Sequence, residues 1–135
     1  MPGIMLDTST CVFAMRRNRP EVRRKLESLG VGFASVSAMV AAELWVGVEK
    51  SAHQERAAFE LNDFLRFVQV LDWPVDASRV YARLRSQLEA RGRGIGAMDL
   101  LIAAHALHDR ATLVTDNLAE FRRIPDLKLE NWVRR

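Results

Sequence analysis

Gly3-Ile4-Met5-Leu6-Asp7-Thr8 is the stretch on which the fold turns. A short apolar run closed by an acid and a hydroxyl reads as a buried strand over Gly3–Leu6, followed by a capped helix. The same grammar recurs downstream. A helix over Thr8–Asn18 stops before Pro20, and Pro20 with Glu21 opens another that runs to Leu29. Gly30 and Gly32 end it, and Phe33–Val36 reads as a second strand. Ser37 caps a helix with Val40, Leu44 and Val48 on one stripe. A helix over His53–Phe67 leads into a short strand, Val68–Leu71, closed by Trp73-Pro74. Asp76 or Ser78 caps the next helix, with Val80, Leu84 and Leu88 in line. After the glycine loop come a helix over Ala97–His108, a strand over Thr112–Thr115, a short helix over Leu118–Arg123 and a last strand near Lys128–Asn131. Strands alternating with helices specify an α/β fold with a mostly parallel sheet flanked by helices.

Composition narrows the class. With 135 residues, 49% of them hydrophobic and 27% charged, one domain with one core is expected, not a disordered tail or a disulfide-stapled miniature. The lone Cys11 allows no internal disulfide, which points to a reducing, cytoplasmic setting. The longest apolar stretches, Ala38–Val48 and Ile95–Leu107, are broken by Glu43 and Asp99 and fall short of the roughly 20 residues of a membrane span. Met1–Asp7 has no basic start and reaches an acid too early for a signal peptide. Twenty Lys and Arg against seventeen Asp and Glu give +3, which permits nucleic-acid binding without requiring it.

In parallel sheets ligands bind beyond the carboxyl ends of the strands, where strand order reverses. Asp7 and Asp116 follow apolar strands, and Asp99 opens a helix after the glycine loop. Glu43 interrupts an otherwise apolar helix, where a carboxylate is costly unless paired, hydrogen-bonded or bound to a metal. Each has a plainer reading: Asp7, Asp99 and Asp116 as helix caps, Glu43 as a surface ion pair. Together they suggest a cluster of carboxylates, which repel one another unless a cation intervenes. Oxygen ligands of this kind suit Mg²⁺ or Mn²⁺, and hydrolysis of a nucleic-acid backbone is the matching chemistry.

Several segments carry a resemblance: Met5-Leu6-Asp7-Thr8-Ser9-Thr10-Cys11, Glu43-Leu44-Trp45-Val46-Gly47-Val48-Glu49-Lys50-Ser51, Gly96 to Leu107, Leu113-Val114-Thr115-Asp116-Asn117, Glu120 to Pro125 and Leu129-Glu130-Asn131-Trp132. In order and spacing the chain resembles the PIN-domain ribonucleases and, among them, the VapC toxins of bacterial toxin–antitoxin pairs. The resemblance implies a single PIN domain over residues 1–135, a three-layer sandwich, acting as a Mg²⁺-dependent endoribonuclease with Asp7, Glu43 and Asp99 at its centre. The family often places a fourth acid where this chain has Asn117, with Asp116 one residue earlier. Either Asp116 contributes directly or it caps the next helix, with Asn117 engaging water at the site and Thr115 orienting the carboxylates. The resemblance also implies a VapB-type antitoxin, a toxin homodimer and, from the enteric-plasmid type, cleavage of initiator tRNA in its anticodon loop.

Other signals are weaker. Arg16, Arg17, Arg19, Arg23, Arg24 and Lys25 form either a phosphate-binding run or a solvated helix face. Arg91 and Arg93, just before Asp99, are better placed to meet RNA phosphates, and Arg134-Arg135 reads as a solvated end. Gly92-Arg93-Gly94-Ile95-Gly96 lacks the Lys-Ser/Thr of a P-loop and reads as a helix stop. His105 is expected partly buried, His108 exposed and Trp132 in the core, and no Ser–His–Asp order suggests itself. The rival functions are a catalytically silent module whose acidic pocket docks a basic segment, and a DNA nuclease or RNA-processing enzyme.

Overall fold

The computed structural model describes residues 3–16 and 18–134; Met1, Pro2, Arg17 and Arg135, which the signal-peptide and basic-run readings touch, lie outside them. Five strands, β1 (Ile4–Leu6), β2 (Ala34–Ser37), β3 (Gln69–Leu71), β4 (Thr112–Val114) and β5 (Leu129–Glu130), form one sheet. Among the described residues seven helices accompany them: α1 (Thr8–Met15), α2 (Pro20–Leu29), α3 (Ala38–Glu49), α4 (Gln54–Phe67), α5 (Ala77–Ala90), α6 (Ala97–His108) and α7 (Leu118–Phe121).

The sheet order is β3-β2-β1-β4-β5, and every pairing is parallel. The chain lays down β1, β2 and β3 in one direction, then returns to place β4 on the free side of β1. Strand order therefore reverses between β1 and β4, the place where open parallel sheets bind ligands, at the carboxyl ends of the strands. Met5 and Leu6 on β1, and Leu113 and Val114 on β4, are successive buried residues. Since successive side chains on a strand point to opposite faces, both faces of the sheet are covered, as in a three-layer sandwich. Trp132 is buried beside β5, where its Nε1–H donates to Glu130 Oε1 at 2.8 Å.

The expected elements are all present, with shifted ends. Helix α1 stops at Met15, not Asn18, because Arg16 is extended, with ψ 153°. Ser37 is the last residue of β2 as well as the cap of α3, its Oγ accepting from the Met39 N–H at 3.2 Å. Neither of the expected side-chain caps opens α5: Asp76 stands at the cap position in a helical conformation and makes no capping bond. Gly30, with φ 91°, takes the left-handed turn that ends α2. Among the described residues no helix is long and apolar enough to cross a membrane.

Candidate active site

Asp7 leaves the end of β1 as the cap of α1 and is buried. Its Oδ1 accepts from the Thr10 N–H at 2.9 Å, and the Ser9 hydroxyl lies 3.0 and 3.2 Å from its two oxygens. Thr115, immediately after β4, donates its hydroxyl to Asp7 Oδ2 at 2.5 Å and accepts from the Asn117 N–H at 2.9 Å. The capping reading of Asp7 thus holds, and its second oxygen is left for another contact. One oxygen satisfies a helix terminus and the other ties β1 to β4.

Glu43 is half-buried on α3, and its Oε1 accepts the Thr8 hydroxyl at 2.5 Å. That bond joins α3 to the first turn of α1, so Glu43 faces the Asp7 end of the sheet and not a surface ion pair. Asp99 sits in the first turn of α6, but that helix has no side-chain cap and Asp99 does not serve as one. A carboxylate in this place is ordinarily favoured by the helix dipole. Here its pKa is instead pushed up to about 7, first by burial and then by the carboxylates of Glu120, Glu43 and Asp7. The accumulation of negative charge outweighs the dipole.

Glu120 joins this acidic group, although the sequence reading did not single it out. It lies on α7, where its carboxyl is within hydrogen-bonding range of that of Asp99. Asn117 Nδ2 donates to its Oε2 at 3.3 Å, while its Oε1 is buried without a partner. The available signal was an acid in the first turn of a helix that follows a strand, the same cue that marks Asp99. Asp116 Oδ1 accepts from Asn131 Nδ2 at 3.1 Å, and the cap position of α7 belongs to Asn117.

Among the described residues no three acids close on a common point as a ready-made metal cage. What they form is one acidic neighbourhood at the switch point, with Asp7 and Glu43 engaged by hydroxyls. Two carboxyl groups in contact must share a proton or a cation, and the orphaned Glu120 Oε1 needs one or the other. Mg²⁺ is commonly held by one or two carboxylates while keeping several waters, so this donor set fits such an ion.

The loop between α5 and α6 borders Asp99. Arg123 Nη1 donates to the Gly94 carbonyl at 3.1 Å, pinning the loop to the chain beyond α7, and Arg91 and Arg93 stand exposed on it. The described part of the basic run makes no uniform cationic face. Arg16 and Arg23 line a groove of about 780 Å³ with Phe59 and the acids Glu27, Glu60 and Asp63. Cys11 is fully buried beneath the site, its thiol pKa raised by burial and by Asp7.

The PIN-domain family model matches residues 4–127 of this chain. A curated relative from Rickettsia felis, "Ribonuclease VapC2", is 43% identical over 129 residues, 95% of this chain and 96% of its own. A second, from Salmonella typhimurium, "tRNA(fMet)-specific endonuclease VapC", is 36% identical over 132 residues, 98% of this chain and 99% of its own. The chain also superposes on a solved structure, VapBC2 from Rickettsia felis bound to a DNA fragment from their promoter. There the TM-score is 0.88 at 40% identity, covering 96% of this chain and 98% of that one.

Proposed function

The chain belongs to the VapC branch of the PIN-domain family, and from that premise we propose that it is the toxin of a toxin–antitoxin pair, a divalent-metal-dependent endoribonuclease. The observation that carries the reading is the gathering of Asp99, Glu120, Glu43 and Asp7 into one acidic group at the β1/β4 switch point, which also raises the pKa of Asp99. Asp99 and Glu120 would hold Mg²⁺ or Mn²⁺, with Asp7 and Glu43 completing the negative wall. The proposed set also contains Asp116, the acid beside Thr115. When bound, the ion supplies charge neutralisation and activation of water for phosphodiester hydrolysis.

The chain's own groups do the rest. Thr115, Ser9 and the Thr10 N–H fix the Asp7 carboxylate, so its orientation needs no rearrangement when substrate arrives. Glu43, held through Oε1 by Thr8, presents Oε2 to orient the attacking water and take its proton. Asn117 turns Glu120 toward Asp99. Arg91 and Arg93 on the exposed loop meet phosphates of the RNA. The Salmonella relative's name supports initiator tRNA as the substrate, and the VapBC complexes support a VapB-type antitoxin as the partner. The reading further comprises a single domain over residues 1–135, a cytoplasmic location and a homodimer through α3 and α4, which expose Val46 and Phe59.

The test uses the purified chain with RNA and Mg²⁺. Cleavage is expected for the wild type, to be abolished by EDTA and by Asp7→Asn with the fold intact. A folded Asp7→Asn variant that cuts at the wild-type rate overturns the site. A wild type that never cuts, yet binds a basic peptide, restores the silent docking module. Growth arrest on expression, relieved by the adjacent upstream gene, separates a toxin from an RNA-processing or DNA nuclease.

A further inference from the structure

Buried Ser37 and buried His105, 68 residues apart, meet in the interior, and the exposed Asp109 one turn after His105 completes a Ser–His–Asp arrangement that linear order does not reveal. His105 Nδ1 lies 2.8 Å from Ser37 Oγ, and His105 Nε2 lies 3.3 Å from Asp109 Oδ2. His105 is 1% exposed and Ser37 is 0% exposed, so no substrate reaches the hydroxyl. The ring is also reversed relative to a catalytic triad, where Nε2 faces the serine and Nδ1 the acid. A nucleophilic role is excluded by access and by orientation.

The donors and acceptors admit one self-consistent arrangement. An ionised Asp109 only accepts, so His105 Nε2 carries the proton that points to it. Nδ1 is then an acceptor and Ser37 donates to it, while Ser37 Oγ accepts from the Met39 N–H at 3.2 Å. Every polar atom of the ring and of the hydroxyl is satisfied by a neutral imidazole, and burial lowers the pKa of His105 in the same sense. His108 also faces Asp109, its Nδ1 2.7 Å from Oδ1.

The two ends of this link matter because of what they carry. Ser37 caps α3, with Glu43 six residues on; His105 lies in the last turn of α6, with Asp99 six residues back. Each acid stands about 9 Å of helix rise from the bonded pair. Resting on the nuclease reading above, we propose that His105, as the Nε2–H tautomer, is a positioning residue. Its bond to Ser37 sets the spacing between the helices that bear Glu43 and Asp99. A shift at the buried bond is passed along two stiff helices to both carboxylates.

The experiment compares His105→Asn, which keeps an acceptor where Nδ1 was, with His105→Gln, which keeps a donor where Nε2 was, and with His105→Leu. RNA cleavage is measured with Mg²⁺ well below each variant's melting temperature, and Mn²⁺ binding is measured by calorimetry. Gln and Leu should lower kcat about tenfold to a hundredfold with KM unchanged, since small misplacements of reacting groups cost that much. The same two should weaken Mn²⁺ binding, and Asn should rescue both quantities. Should Leu fail to fold, the contrast between Asn and Gln decides. Nitrogen NMR of the wild type should show the ring proton on Nε2. A proton on Nδ1, a folded Leu or Gln variant with wild-type kcat and Mn²⁺ affinity, or an Asn variant no better than Gln overturns the proposal. If the wild type does not cleave RNA, the nuclease reading falls, and the tautomer with the Mn²⁺ series still decides this one.

Discussion

The Thr115 hydroxyl donates to Asp7 Oδ2 at 2.5 Å across 108 positions of sequence, joining the ends of the two parallel strands between which the strand order reverses. Thr115 is fully buried and Asp7 nearly so, which makes this a hydrogen bond to a charged group with little water to replace it. Thr115→Val keeps the shape and removes the donor, and it also strips the acceptor from the Asn117 N–H. The expected cost is about 1.5–3 kcal/mol by denaturant titration, with cleavage falling roughly tenfold or more. Thr115→Ser should restore both. A Val variant with wild-type turnover would show that the bond serves the fold alone.

Asp99 predicts how stability follows pH. Its pKa is about 7 in the folded chain against 3.8 as the ordinary value, so between those limits the folded state holds a proton that the unfolded state releases. Stability must then fall as pH rises through that window and level off above about 7. Asp99→Asn carries no such charge and should melt higher than the wild type at pH 8, with the difference vanishing near pH 4. Each kcal/mol recovered corresponds to roughly 3–5 °C for a chain of this size. Mg²⁺ competes with the same proton, so it should raise the melting temperature of the wild type at pH 8 more than at pH 5. Equal melting curves for the two proteins at pH 8 would contradict the crowding of charge around Asp99.

Glu120 and Asp116 separate by a direct comparison. Glu120 meets Asp99 and leaves Oε1 buried without a partner, whereas Asp116 accepts from Asn131. Glu120→Gln should therefore reduce cleavage as severely as Asp99→Asn, by about a hundredfold or more, and should weaken Mn²⁺ binding. Asp116→Asn should cost no more than about tenfold, because its Asn131 contact can be remade by an amide oxygen. The reverse ranking would put Asp116 at the centre of the site.

Much of this was legible in the chain because the signals were local. Gly3 to Thr8 announces a buried strand and a cap, and Pro20 with Gly30 brackets a helix whose bounds match the structure. Asp7 and Asp99 stand where the punctuation of strands and helices places them. Glu120 was hidden because an acid on a short surface helix is ordinary until Asp99 is seen opposite it. The Ser37–His105–Asp109 link was hidden for the same reason: 68 residues separate the first pair, and only packing joins them. Helix ends drifted by up to three residues, as at Met15, where an extended Arg16 overrides a sequence with no breaker before Pro20.

Arginines near the site and arginines on α2 should answer differently to salt. Arg91 and Arg93 stand exposed beside the loop that leads to Asp99, while Arg24 and Lys25 stand exposed on α2. If RNA phosphates lie on the loop, changing both loop arginines to Ala should raise KM and leave kcat nearly unchanged. Each phosphate contact to a single strand contributes about 0.7 to the slope of log affinity against log salt, so that slope should shrink by about 1.4. Arg24→Ala with Lys25→Ala should leave the slope alone. Loss of slope in the α2 pair instead would move the RNA path to that helix, because counterions are released wherever the phosphates are bound.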